Sequence, residues 1–449
     1  MQATIQGAQD LGYRIVSGWG LGSLGLSVIL NTLNVLLIAY LTLVVGLEPA
    51  LAGTLVLLTK LYDVATDLPM GWISDRTRTR WGARRPYLLL AGLVTPVAIF
   101  LLFSGPVGDS IGYVTACLLL YATGYTLFNV PYLSMPAELT MNVHLRTRMV
   151  AWRSTFIAGG TFFGIAVAPF LVGALGGGQQ AYAYLGALMA LLIFAAFVGC
   201  FLMTSTAGSA TPNQAFIPLR EQLAVILSNR HFVTLMLIKV THLLAVAVNA
   251  GSLVFFFRFA LGYDMKILGI YGAVTTAVWA LAMPLWSRLA QIKGKRFGYF
   301  VATTGHVLLT LSWLLAEPQE PMVMMIARAA GFGVISGGML LMGNAMLQDV
   351  MDLDYRDTGK RKNGMFAGMY SLVEKITSGI GAQILGLVLS LTGFDRLAQT
   401  QAESAIRGTY ITVALIPGLL MLSSLAIIYA YRLDEQKLSA ASPGASSSA

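Results

Sequence analysis

Asp63 and Asp67 stand one helical turn apart inside an apolar stretch, Leu61-Tyr62-Asp63-Val64-Ala65-Thr66-Asp67-Leu68-Pro69. Side chains at i and i+4 project from one face of a helix. On insertion scales each charge at the centre of a membrane span costs about 3 kcal/mol. Two carboxylates retained together therefore point to use, and a cation or a proton is the natural occupant. Hard cations such as Na⁺ want oxygen ligands, which carboxylates supply. A proton is the other candidate, because neighbouring carboxylates resist joint ionisation. A purely structural ion pair with Lys60, three residues before Asp63, is the remaining reading.

The elements that position this pair are read from composition and charge. Of 449 residues, 56% are hydrophobic and only 11% charged. Soluble domains carry about 25% charge, so the chain is an integral membrane protein and the lipid bilayer is its first partner. The net charge of +9 is thus no sign of nucleic acid, which is not expected as a partner. Cys117 and Cys200 both lie in apolar runs, which argues against a disulfide framework. The polar stretch Met1 to Arg14 does not read as a cleaved signal peptide.

Apolar segments of about 20 residues, enough to span a bilayer, recur roughly twelve times. They lie near 15–45, 50–74, 86–105, 111–136, 149–175, 180–204, 231–259, 265–289, 297–316, 321–347, 364–392 and 406–432. Their lengths fit helices, so the expected fold class is an all-α membrane protein with twelve transmembrane helices. Arg and Lys gather after every second span: Arg76 to Arg85, Arg146 and Arg148, Arg220 and Arg230, Arg288 to Arg296, and Arg356 to Lys362. The alternate loops are short and poor in basic residues. The positive-inside rule then places both termini in the cytoplasm of a multi-pass protein of the cell (inner) membrane. The Ser/Thr/Ala/Pro-rich stretch 205–230 divides the chain into expected six-helix bundles at 1–204 and 231–435, with a disordered tail at 436–449. The basic run Arg288 to Arg296 falls in the second half where Arg76 to Arg85 falls in the first, a weak internal repeat of the kind found in rocking transporters.

Three motifs carry a family resemblance. The first is Gly71-Trp72-Ile73-Ser74-Asp75-Arg76-Thr77-Arg78-Thr79-Arg80-Trp81-Gly82-Ala83-Arg84-Arg85-Pro86-Tyr87. The second is Met346-Leu347-Gln348-Asp349-Val350-Met351-Asp352 with Thr358-Gly359-Lys360-Arg361-Lys362-Asn363-Gly364, and the third is Asn129-Val130-Pro131-Tyr132. In order, and across nearly the whole chain, these resemble the glycoside-pentoside-hexuronide:cation symporters of the major facilitator superfamily, melibiose permease-like. The resemblance implies two pseudo-symmetric six-helix bundles around one central cavity. It implies symport of a sugar, a glycoside or an amphipathic small molecule with Na⁺ or H⁺, by alternating access.

The resemblance also implies roles for residues. Asp63 and Asp67 become the cation site. Asn129 stands where the melibiose permease type has a helix-four carboxylate, and its amide oxygen ligates without bringing charge. Lys375 stands where the family has a helix-eleven Lys that competes with the cation. Asp75, Arg76, Arg78, Arg80, Arg84, Arg85, Asp349 and Asp352 become gating contacts at the basic end, where topology anchoring alone is the plainer reading. Arg153, read as opening the fifth span, approaches substrate or a carboxylate of the second; an interfacial snorkelling Arg is its plain reading.

Substrate contacts are expected from polar and aromatic side chains within the spans. The candidates are Asn31, Asn34, Tyr132, Thr155, Lys239, His242, Asn249, Asn344 and Tyr370, besides Asn129 and Arg153. Asn31 with Asn34, and Lys239 with His242, share helix faces at i,i+3. Each of them is also ordinary polar glue between helices on its plain reading. Glu374 is expected to pair with Lys239 or Arg328. His242 is the one His placed for proton work; His144, His231 and His306 read as loop or helix-end residues. The modest supply of such groups leaves open a lipid, steroid-like or drug transporter or exporter on the same fold. No phosphate-binding loop and no nucleophile–base pair is visible, so neither ATP-driven transport, an enzyme nor a cofactor is expected. A monomer is the default.

Overall fold

The computed structural model describes residues 12–106, 108, 110–140, 142–204, 229–359 and 363–430. Residues 205–228 of the expected linker, the tail, and the basic residues Arg220, Lys360, Arg361 and Lys362 lie outside them. Among the described residues the chain runs through twelve long helical elements. They are α1 (Tyr13–Leu43), α2 (Pro49–Arg76), α3 (Arg85–Ser104), α4 (Ile111–Leu139) and α5 (Val143–Phe162, then a π-turn Phe163–Val167 and Ala168–Ala174). There follow α6 (Gln179–Met203), α7 (Arg230–Phe255 with a π-turn Phe256–Ala260), α8 (Met265–Lys293) and α9 (Lys295–Leu311, ending in the tighter turn Ser312–Leu315). Last come α10 (Met322–Thr358), α11 (Asn363–Leu391) and α12 (Glu403–Tyr410, π-turn Ile411–Leu415, Ile416–Ala430).

Eleven of these helices are long and apolar enough to cross a membrane by length and composition. The helix outside that count is α2, which has the length at 28 residues but carries Lys60, Asp63 and Asp67 along its middle. Three charged side chains thus share the middle of one helix. Two helices run furthest beyond their apolar windows. Helix α5 starts at Val143, so Arg153 lies well inside it and does not open it as expected; Asn142 caps the first turn by accepting from the His144 amide at 2.9 Å. Helix α10 runs on to Thr358, which puts Asp349 and Asp352 on a helix that ends at Gly359 in the left-handed conformation, φ 67°.

The chain falls into two compact units. The first holds the described part of Met1–Gln214 together with Ala250–Ala273 and Ala382–Thr409. Its centre is α1, whose stripe of Gly and Ser lets neighbouring helices approach closely. Ser23 and Ser27 donate to the Arg153 and Ile157 carbonyls of α5 at 3.0 and 2.9 Å. Toward the end with few basic residues, helices of the later sequence pack on this bundle. The Ala50 amide of α2 donates to Ser390 Oγ of α11 at 3.0 Å. There Gly53 lies so close to α11 that a Cβ would stand 2.7 Å from the Ala382 carbonyl oxygen.

The second unit holds the described part of Ala215–Asn249, Val274–Gly381 and Tyr410–Ala449. Its core gathers Phe232, Trp286, Tyr299, Met339, Met342, Phe366 and Met421. The flexible thioethers fill the irregular gaps between helices that cross at different angles.

Candidate ion and substrate sites

In the first unit, α2 and α4 face each other through polar side chains. Asp63 is only 2% exposed, and Asp67 is half-buried one turn further on. Thr126 of α4 donates to Asp63 Oδ1 at 2.8 Å and lies 3.2 Å from Asp67 Oδ1. One hydroxyl therefore touches both carboxylates. Thr66 Oγ1 shares a 3.3 Å hydrogen bond with Thr126, and Tyr62 shares one of 3.0 Å with Thr123. Asn129, also buried, follows Thr126 by three residues on the same face of α4. Two carboxylates and a hydroxyl thus meet on two adjoining helices, with Asn129 one turn further along α4, and oxygen donors of this kind suit a hard monovalent cation.

Thr126 was invisible to sequence reasoning, since Thr in a membrane helix commonly bonds its own backbone. Its place three residues before Asn129 is the one signal. A hydrogen bond to a charged acceptor is worth about 1.5–3 kcal/mol. Thr126→Val keeps the shape and removes the oxygen, so the concentration of driving cation that half-saturates transport should rise about tenfold. Transport titrated against that cation checks this, and an unchanged half-saturation would remove Thr126 from the site.

Other expected residues of this unit are engaged elsewhere. Asn31 donates to the Ser27 carbonyl at 2.9 Å and to Thr161 at 3.2 Å, tying α1 to α5. Asn34 and Thr155 are exposed, and Thr155 bonds the Ala151 carbonyl of its own helix. Tyr132 is fully buried with its ring stacked on Trp19 and Phe128, at 4.9 and 5.3 Å. This makes it part of the packed interior. Arg153 is half-buried beside α1, and its Nε has no hydrogen-bond partner among the described residues. A cavity of about 500 Å³ opens at the charge-poor end among Leu43, Gln179, Arg258 and Tyr263. None of the expected substrate residues lines it.

The second unit brings together a group scattered in sequence. Lys239 of α7 donates to Glu374 of α11 at 3.0 Å, and its ammonium lies over the Tyr370 ring. The Tyr370 hydroxyl donates to Asn344 of α10 at 3.2 Å. Lys375 is buried in the same unit. Arg328 instead pairs with Glu320 and lies over Trp313. Asn249 donates to the Val413 carbonyl at 2.8 Å and ties α7 to α12. His306 is not the helix-end residue that was expected. It is buried inside α9 with its ring 6.2 Å from that of His242.

At the basic end the two halves repeat one arrangement. Arg84, entering α3, pairs with Asp75 and, at 2.8 Å, with Glu138 at the end of α4. Glu138 is 9% exposed against 64% for Asp75, so it is the partner with more electrostatic weight. Arg85 donates to the Phe201 carbonyl of α6 at 2.9 Å. In the second unit Lys295, entering α9, pairs with Asp349 at 2.5 Å, and Arg296 donates to the Tyr429 carbonyl of α12 at 2.6 Å. In both halves the second basic residue meets the carbonyl end of the sixth helix, where the dipole favours a cation. Arg76 and Arg80 lie over Trp72 and Trp81, and Arg78 and Asp352 are exposed.

The sequence matches the MFS/sugar transport protein family over residues 18–435. It is 27% identical to the glucuronide carrier protein homolog of Escherichia coli, covering 96% of this chain and 94% of that protein. It is 24% identical to the putative glycoside/cation symporter YagG of the same organism, covering 95% and 93%. Among solved structures, a bacterial homolog of the human lysosomal transporter Spinster superposes with a TM-score of 0.69 at 12% identity, covering 95% of this chain and 99% of that one. That likeness gives the fold, the major facilitator fold.

Proposed function

We propose that this chain, which belongs to the MFS/sugar transport protein family, carries a sugar or glycoside across the membrane together with a cation, Na⁺ or H⁺. The observation that carries the reading is the Thr126 hydroxyl set between the Asp63 and Asp67 carboxylates inside a membrane helix. A packing role for α2 would be met by apolar side chains at far lower cost. Asn129, one turn beyond Thr126 on α4, would add an amide oxygen without a third negative charge. Lys239, Glu374, Tyr370 and Asn344 offer hydrogen bonds beside an aromatic face, which suits a sugar ring.

The basic end faces the cytoplasm on this reading, by the positive-inside rule. The paired arrangements of Arg84–Arg85 and Lys295–Arg296 form and release as the protein alternates. Transport runs into the cell, and the protein works as a monomer. The test is uptake into proteoliposomes of a panel of labelled glycosides and amphiphiles under separately imposed Na⁺ and H⁺ gradients. Glycoside uptake that rises with one of the two gradients is the expected result. Uptake indifferent to both gradients would overturn the coupling, and uptake of amphiphiles alone would overturn the substrate class.

A further inference from the structure

Helix α2 has a second face, turned away from Asp63. Leu58, Leu61, Leu68 and Trp72 recur there at helical spacing, and all four are exposed. From Leu61 to Trp72 this apolar stripe runs roughly 16 Å along the axis, about the hydrocarbon depth of one leaflet. It ends in charge. The Arg76 guanidinium, one turn beyond Trp72, lies 3.7 Å from the centre of the Trp72 ring. Arg80 lies 5.0 Å from that of Trp81. Trp81 is held by a tight turn, in which the Gly82 amide donates to the Thr79 carbonyl at 3.0 Å with Gly82 at φ 94°. Its ring also meets Phe201 of α6 edge-on at 5.8 Å. The run of Arg thus divides. Arg84 and Arg85 turn to partners within the protein, and Arg84 takes the nearest carboxylate, Asp75. Arg76, Arg78 and Arg80 are exposed and, among the described residues, pair with no carboxylate.

We propose that this end of α2 binds an anionic phospholipid of the cytoplasmic leaflet, its phosphate on Arg76, Arg78 and Arg80 and an acyl chain along Leu68 and Leu61. A guanidinium stacked on an aromatic ring keeps its in-plane N–H groups free, and that fork matches the oxygens of a phosphate. Indole rings favour the headgroup level, where their apolar body and polar N–H are both accommodated. Basic clusters just cytoplasmic of a membrane helix attract anionic lipid. A zwitterionic lipid would bring a cation of its own to the three Arg, and a soluble phosphate would leave the stripe uncovered. A lipid resident here fixes the depth of the helix that carries Asp63 and Asp67.

Only the name of the leaflet rests on the proposed orientation; binding is read in detergent, without substrate or gradient, and stands or falls apart from transport. Radiolabelled dihexanoylphosphatidylglycerol is bound to the purified full chain and displaced by the unlabelled lipid, by dihexanoylphosphatidylcholine or by inorganic phosphate. Each Arg beside an anionic headgroup is worth about fivefold in affinity. Phosphatidylglycerol should therefore displace the label at concentrations roughly 30-fold below phosphatidylcholine. Phosphate, which cannot use the stripe, should be weaker than phosphatidylglycerol. Arg76→Gln/Arg80→Gln should bring phosphatidylglycerol to the level of phosphatidylcholine. Arg76→Lys/Arg80→Lys keeps the charge but not the fork, and should stay several-fold weaker than the wild type. Arg288→Gln/Lys293→Gln removes two exposed basic residues of the second unit and should leave the preference intact. Equal displacement by the two lipids in the wild type would overturn the site, and so would phosphate as effective as phosphatidylglycerol. Loss of preference in the Arg288/Lys293 variant as large as in the Arg76/Arg80 variant would reduce it to diffuse attraction. Wild-type affinity in the Lys pair would overturn the stacked guanidinium as the group that reads the phosphate.

Discussion

Asp67→Asn and Asp63→Asn should each abolish accumulation of substrate against a gradient while leaving substrate exchange across the membrane. One monovalent charge moved through a potential of about 100 mV supplies ~2.3 kcal/mol, which sustains roughly 50-fold accumulation at full coupling. The amide is nearly isosteric with the carboxylate, so the α2–α4 contact is kept, but the charge that attracts the ion is gone. The Thr126 hydroxyl remains within reach of an acceptor oxygen in either variant. The accumulation ratio in proteoliposomes should therefore fall from tens to about one, with counterflow of labelled substrate persisting. The split between the two readouts carries the meaning. A folding defect would remove both, whereas loss of the driving ion removes only the first. Normal accumulation by both variants would rule out the ion-site assignment.

Why these two residues were legible, and others were not, follows from what each costs. Asp63 and Asp67 stand out because charge in an apolar run is expensive wherever the helix goes. The same charges keep α2 from qualifying as a span by composition, although its length is that of its neighbours. Thr126 and Glu138 carry comparable weight in the structure but little signal. A Thr in a membrane helix satisfies itself on its own carbonyls at small cost, and a Glu near a helix end reads as surface. His306 was misplaced although the expected span 297–316 already ran past it: a polar side chain reads as exposed, and only the packing of α9 buries it. The length of α10 was hidden because Asp349, Asp352 and Arg356 end the hydropathy but not the backbone hydrogen bonds. The pairing of Lys239 with Glu374 was among the expected options because buried charges seek partners. That Tyr370 and Asn344 join them depends on the crossing of three helices, which no local pattern encodes.

The glycines present the hardest case, and the second large effect lies there. The chain has 47 of them, and nothing in the sequence separates Gly53 from the rest. In the first unit, however, a Cβ on Gly53 would stand 2.7 Å from the Ala382 oxygen and 3.0 Å from the Gln383 Cα of α11. A Cβ on Gly386 of α11 would in turn stand 3.0 Å from the Pro49 carbonyl carbon of α2. These obstacles are backbone atoms and cannot rotate away. Overpacking of this kind costs about 1–3 kcal/mol or more. If the α2–α11 seam closes and opens during transport, that cost shifts the population toward the open seam by roughly 5- to 150-fold. Gly53→Val should thus slow transport by a comparable factor and expose the seam. A cysteine at Ser390, whose hydroxyl now accepts from the Ala50 amide, would report this, because Cys117 and Cys200 are both buried and give little background. Its maleimide labelling should quicken in Gly53→Val and in Gly386→Val. Gly71→Val is the control: on the same helix its nearest neighbour is the Val130 side chain at 3.8 Å, an ordinary contact, so labelling should stay at the starting rate. Labelling that stays slow in all three would mean that the helices move apart by a few tenths of an ångström to admit a side chain, and that close approach at Gly53 is a matter of packing and not of the transport cycle.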